Sequence, residues 1–304
     1  MKNEAKGILL ALAAAVVSGI SIPANKFFIV SLDPSVFTAV RSVIIGFGFL
    51  IIAEYQARSQ HRRFRKAPWS YLLGIAAIGG SAAFLLYFTG LQLTTAGRAA
   101  LLYHSILTAS TVILAFVFLG ERLGKRMSIA LVVMLAGTVL LYMSQIPASQ
   151  LWPDPSLGDL LIMAASVFWG IEYVISKKAM SMGETNFVVT FARMFFGGIM
   201  LFGVVIVMGD TGALLSLSAQ QWTNILASTA LLFADVLFWY WSIRYINVSK
   251  AAILLLVAPI VSLLGSIFML GEPAPPIQIA GSAIILLGSY FVIGVRNGPS
   301  EKNR

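Results

Sequence analysis

Trp169, Glu172 and Tyr173 follow i, i+3, i+4 spacing inside a long apolar run, so one helical face carries an indole, a carboxylate and a phenol. A carboxylate in such a run can hold a cation, carry a proton or pair with an arginine, and the indole offers a flat apolar surface. Asp235 and Trp239 combine acid and indole again, four residues apart and beside Tyr240 and Trp241. Tyr87, Tyr103 and His104 add polar aromatic groups to other runs, and Arg41 and Arg193 are the remaining charges well inside one. Such charges are costly in hydrocarbon and normally face a protein interior or a wet cavity.

The elements that position these groups follow from composition. Hydrophobic residues make up 59% of the 304 and charged residues only 11%, with a mean hydropathy of +0.89. A soluble domain carries roughly a quarter charged residues, so this is an all-α polytopic membrane protein. Cysteine is absent, which excludes disulfides, thiolate metal sites and cysteine nucleophiles. The net charge of +9 reads as a topology signal and not as a nucleic-acid surface, because the basic residues sit at the ends of apolar runs.

Runs near the ~20 residues that cross a bilayer fall at about 6–29, 34–55, 68–91, 97–118, 127–143, 157–176, 185–208, 220–243, 249–270 and 277–295. The first reads as a span and not a cleaved signal, since its pattern recurs inside the chain. One alternating set of loops and termini holds all the basic residues except Lys26, Arg98, Arg41 and Arg193. By the positive-inside rule both termini are expected in the cytoplasm, and the proline-rich segment 145–156 outside.

A shift of 151 positions superposes the two halves. Gly7, Ala13, Gly19 and Lys26 meet Gly158, Ala164, Gly170 and Lys177, and Leu119-Gly120-Glu121 meets Leu270-Gly271-Glu272. A register held from first span to last indicates duplication. Five spans per copy is odd, so the second copy is inverted, the arrangement of many secondary transporters, whose sites lie where the halves meet. The expected domains are a first repeat at 1–144, a linker at 145–156, a second repeat at 157–296 and a tail at 297–304.

The duplication sorts the charges. Arg41 and Arg193 are near-equivalents, one position out of register, which favours a shared packing role over substrate contact. Glu172 and Asp235 face Ser21 and Phe84 in the other copy, so they break the symmetry and are the better functional candidates. For each, a structural acid paired with Arg193 or Lys177 stands beside a substrate-binding or proton-coupling acid. Trp169, near the bilayer midplane, reads as a cavity wall, Trp241 as interfacial belt, and His104 as a hydrogen-bonded structural group or a proton carrier. Glycines such as Gly137, Gly197 and Gly281 permit close helix contact, and Pro23 and Pro259 are expected to kink their spans. No enzyme, nucleotide, metal or cofactor motif occurs, and no cofactor is expected.

Taken together, Ala99-Ala100, Leu119-Gly120-Glu121-Arg122-Leu123 and Gly137 in the first half, with Ala251-Ala252, Pro259, Leu270-Gly271-Glu272, Gly281 and Gly288 in the second, resemble the EamA-type transporters of the drug/metabolite transporter superfamily. Arg41 and Arg193 match an arginine common early in the second helix of each repeat. Thr108 departs from the pattern, standing where a proline equivalent to Pro259 is often found, so equal bending of the fourth and ninth helices is not implied. The resemblance implies ten helices in two inverted five-helix repeats, with helices 1, 3, 4, 6, 8 and 9 lining a midplane cavity. Within the family the chain looks most like bacterial exporters of aromatic and other amino acids.

The expectation is therefore a monomeric inner-membrane exporter of amino acids, working by alternating access with Trp169, Glu172, Tyr173, Asp235, Trp239, Tyr87, Tyr103 and His104 around the substrate. The rivals are a carrier of a phosphorylated sugar or a drug-like cation, a membrane-embedded enzyme, and a channel. A phosphorylated sugar needs a basic cavity, the enzyme clustered catalytic groups at one depth, and the channel a continuous polar pore.

Overall fold

The computed structural model describes residues 2–29, 32–59, 68–94, 96–143, 156–270 and 275–295. Nearly the whole expected linker, the expected tail and Glu272 lie outside these. Ten helices among the described residues are long and apolar enough to cross a membrane. In chain order the elements are α1 (Lys2–Phe28), α2 (Pro34–Ser59), α3 (Trp69–Ile75), a π-helical turn at Ala76–Ala82, α4 (Ala83–Leu93), α5 (Ala96–Leu119), α6 (Lys125–Met143) and α7 (Leu157–Ser181). They continue as α8 (Asn186–Met208), the short α9 (Thr211–Leu215), α10 (Ala219–Tyr245), α11 (Val248–Leu255), α12 (Ala258–Leu270) and α13 (Pro276–Gly294). The third span is α3, the π turn and α4; the ninth is α11 and α12.

Local sequence sets the ends. Ser156 and Asp159 form a capping box on α7, Ser218 and Gln221 another on α10, and Gly209, at φ 84°, terminates α8. Within the spans, Thr138, Ser166, Thr190 and Thr229 return their hydroxyls to the carbonyl four residues back. Polar groups are thereby satisfied without water, as a hydrocarbon setting requires. Large apolar side chains such as Ile51, Phe116, Val207 and Phe268 face outward from the bundle.

The packing obeys the duplication. Helix α2 packs on its counterpart α8, and α6 on its counterpart α13; α1 packs on α10 as α4 packs on α7, and α5 on α7 as α12 packs on α1. All of these contacts cross between the halves, which form two inverted five-helix repeats. At the α6–α13 crossing a Cβ on Gly137 would lie 2.8 Å from the Gly281 carbonyl oxygen, and one on Gly281 2.7 Å from that of Gly137. Only glycine lets these backbones meet.

Two irregularities break the symmetry. Helix α5 is continuous through Thr108, whereas its counterpart is interrupted at Leu256 and Val257, just before Pro259, which cannot donate a backbone hydrogen bond. The ninth span is thus broken just before Pro259. No break occurs at Pro23, through which α1 runs unbroken. The second irregularity is the π turn, where the Ala83 N–H reaches back five residues to the Ile78 carbonyl. Its counterpart in α10 is regular.

Polar ties join the halves at both ends. At the end where α1 begins, the near end, Glu121 after α5 accepts from the Val248 N–H at 2.9 Å and from the Ser249 N–H at 2.9 Å, capping α11. Beside it the buried Lys250 binds Glu4 at 3.0 Å and donates to the Val295 carbonyl. At the far end Arg98 pairs with Asp159, which also accepts from the Thr94 hydroxyl at 2.6 Å.

Candidate functional site

The π turn is where the candidate site begins. A Cβ on Gly79 would stand 2.1 Å from Cγ of Glu172, and one on Gly80 2.1 Å from the Arg193 carbonyl oxygen. These two glycines let α7 and α8 press directly against the third span. Because the Ala83 N–H bypasses Gly79, the Gly79 carbonyl is open to the indole Nε1 of Trp169, which donates to it at 3.1 Å. Such π turns are frequent at functional sites because they free backbone groups in this way.

Trp169 is 5% exposed and sits in an aromatic box. Phe84 and Tyr103 meet its ring edge-to-face with centroids 5.3 and 5.5 Å away, and Tyr87 leans on it at 5.4 Å. These are favourable offset geometries between rings. One helical turn on, Tyr173 packs on Trp239 at 4.3 Å. Trp239 is 4% exposed, and its Nε1 has no hydrogen-bond partner among the described residues. Trp241 lies apart, with the Lys6 ammonium 4.6 Å from its ring centroid at the near end.

Glu172 is fully buried. Its Oε1 accepts from the Tyr240 hydroxyl at 2.7 Å and from the Ser176 hydroxyl, and its Oε2 lies 3.2 Å from Nε of Arg193. The Arg193 contact is an ion pair that is not aligned as a hydrogen bond. The guanidinium also lies 5.4 Å from the Phe84 ring and 5.8 Å from the Tyr240 ring. Asp235 is half-buried, and Arg193 is the cation in whose field it lies.

Arg41 has no place in this cluster. It is 3% exposed, donates to the Ser228 hydroxyl at 2.6 Å and stacks on Phe37 at 4.1 Å, while Ser228 donates to Asn25 at 2.7 Å. This chain ties α2, α10 and α1 and contains no acid. The symmetric arginines thus share a place in the fold and not a role. His104 is buried beside Tyr103 and stacks at 6.1 Å on Tyr142. Among the described residues its Nε2 has no hydrogen-bond partner. Lys177 does not pair with Glu172 either; its ammonium donates to the Ile243 and Ile246 carbonyls at the end of α10.

The expected residues Trp169, Glu172, Tyr173, Tyr87, Tyr103, Asp235 and Trp239 thus come together from the third, fourth, sixth and eighth spans. The seventh contributes Arg193. Sequence reasoning passed over Gly79, Gly80, Ser176, Phe84 and Tyr240. Phe84 carried a signal as the counterpart of Asp235, and Tyr240 stood between two noted tryptophans. A cavity of about 350 Å³ lies at the near end against Lys177, Met180, Ser181, Gly183, Glu184 and Arg244.

Comparison with known proteins places this architecture. The profile of the EamA-like transporter family matches residues 5–143 and 156–294. The chain is 26% identical over 300 residues to an "Uncharacterized transporter" of Archaeoglobus fulgidus, covering 96% of this chain and 99% of that one. It is 25% identical over 297 residues to a "Probable amino-acid metabolite efflux pump" of Salmonella typhimurium, covering 94% and 95%. A crystal structure superposes with a TM-score of 0.74 at 21% identity over 95% of this chain and 99% of the other, a likeness of fold alone.

Proposed function

The chain belongs to the EamA-like transporter family, and from that premise we propose that it exports amino acids with aromatic and other apolar side chains across a bacterial inner membrane. The observation that carries the substrate class is the aromatic box around Trp169, formed by rings of both halves near the middle of α7. Stacking and apolar contact select a side chain loosely while excluding strongly polar ones. The similarity to a protein named as an amino-acid metabolite efflux pump supports the same reading.

The working unit is a monomer, with no nucleic acid or cofactor involved. The bias of basic residues puts the near end, with both termini, in the cytoplasm. Alternating access then means opening the Glu121 and Lys250 ties on one side and the Arg98–Asp159 tie on the other in turn. A phosphorylated substrate is disfavoured, because the cation nearest the box, Arg193, already has Glu172 as counter-ion.

The test is uptake of a panel of labelled amino acids into proteoliposomes, with and without a pH gradient. Accumulation of phenylalanine, tyrosine or leucine above glutamate and sugar phosphates is expected. Transport of sugar phosphates alone would refute the proposal.

A further inference from the structure

One cation serves two carboxylates at the centre of this bundle. Glu172 is closed to any ligand, with one oxygen taken by Tyr240 and Ser176 and the other against Arg193. Asp235 differs. Among the described residues its carboxylate has no hydrogen bond and no ion pair, and its electrostatic neighbours are Arg193, Tyr103 and Tyr173. It is the more open of the two acids, half-buried where Glu172 is sealed. With both acids ionised the cluster would hold one negative charge in excess, which an apolar interior strongly disfavours.

The surroundings of Asp235 are those a cation prefers. Tyr103 and Tyr173, whose rings pack on Trp169 and Trp239, lie close enough to feel its charge, and aromatic rings attract an ammonium. Trp239 lies four residues on along the same helical face, with its indole N–H unpartnered although the residue is 4% exposed. That donor is neutral and suits an uncharged or weakly charged oxygen. Arg193, the cation of the cluster, is already paired with Glu172 and leaves no call for a substrate carboxylate.

We propose that Asp235 anchors a primary ammonium group, so that the site selects organic amines with an aromatic or apolar tail and treats an α-carboxylate as dispensable. The proposal rests on the reading of the chain as an exporter and narrows its substrate to amines. Phenylalanine satisfies it, and so does the same molecule without its carboxylate. The matching acid without an amine does not.

The experiment measures binding of L-phenylalanine, 2-phenylethylamine and 3-phenylpropanoate to the purified full-length protein by calorimetry. Phenylalanine and phenylethylamine should bind within roughly tenfold of each other, and phenylpropanoate more than roughly tenfold more weakly, the range expected for a charge-assisted hydrogen bond. Asp235→Asn should weaken phenylethylamine by roughly tenfold or more and leave the weak phenylpropanoate binding unchanged. Comparable binding of phenylpropanoate and phenylethylamine to the wild-type protein overturns the proposal, whether or not the variant folds. So does a folded Asp235→Asn variant with unaltered affinity for phenylethylamine. If that variant keeps its affinity while wild-type proteoliposomes transport phenylalanine, the Asp235 assignment falls and the exporter reading stands. If no probe binds and no amino acid is transported, both fall.

Discussion

Arg41 and Arg193 occupy matching places in the two halves but meet unlike partners: Arg193 lies 3.2 Å from the Glu172 carboxylate, whereas Arg41 donates to the neutral hydroxyl of Ser228 at 2.6 Å. The difference traces to the duplicated position that holds Glu172 in one copy and Ser21 in the other, where the Ser21 hydroxyl turns back to the Val17 carbonyl. Duplication supplied the arginine twice. Among the described residues, only the copy with Arg193 has a counter-ion for it.

Breaking that pair from one side should destabilise more than removing both charges. Glu172→Gln keeps acceptor shape but leaves Arg193 buried without a counter-ion, at a cost of about 3 kcal/mol. Glu172→Gln combined with Arg193→Met should recover much of this. Thermal stability in detergent, followed by size-exclusion chromatography, is the measurement; equal melting of the single and double variants would contradict the pairing.

Trp169→Ala removes a stacking surface worth about 1 kcal/mol, so transport of phenylalanine should fall several-fold more than that of alanine. Trp169→Phe keeps the ring surface and loses only the bond to the Gly79 carbonyl, and should retain more of the preference. Equal losses for both substrates, accompanied by low protein yield, would assign Trp169 to packing.

Gly80→Ala places a methyl 2.1 Å from a backbone oxygen of α8, which no side-chain rotation relieves. Folded yield should drop sharply. Gly203→Ala, in α8 with nothing within 4 Å of the added atom, should be tolerated. Similar fluorescence-detected yields for both would deny the close approach at the π turn.

Orientation is testable with single cysteines, since the chain has none of its own. Positions Ser59 and Ser300 should be shielded from an impermeant thiol reagent in intact cells, while Ser149 should react. Labelling at 59 from outside would reverse the assignment.

The ten spans and the repeat were legible because hydropathy and a fixed register are properties of the chain read in order. That Glu172 and Asp235 break the repeat was legible for a related reason: each stands against an uncharged partner in the other copy. What each acid meets was not legible. Glu172 reaches Arg193 from a different helix, and its bond with Tyr240 spans 68 positions, so packing alone decides both. Gly79 and Gly80 gave no signal in the sequence because a π turn has no strong composition of its own. Its meaning appears only when Glu172 is seen against it. Pro259 and Pro23 looked alike in sequence, yet only the former interrupts its span.

Glu121 carries a consequence for how such a molecule comes to exist. Its carboxylate supplies from one half the acceptors that the opening turn of a helix in the other half lacks, so severing the chain at residue 150 would orphan two backbone amides at once. A lone second half is then incomplete at the level of its main chain, before any question of cargo arises. A five-span forebear would have faced the same shortage and had to find its missing acceptors on an upside-down sister molecule.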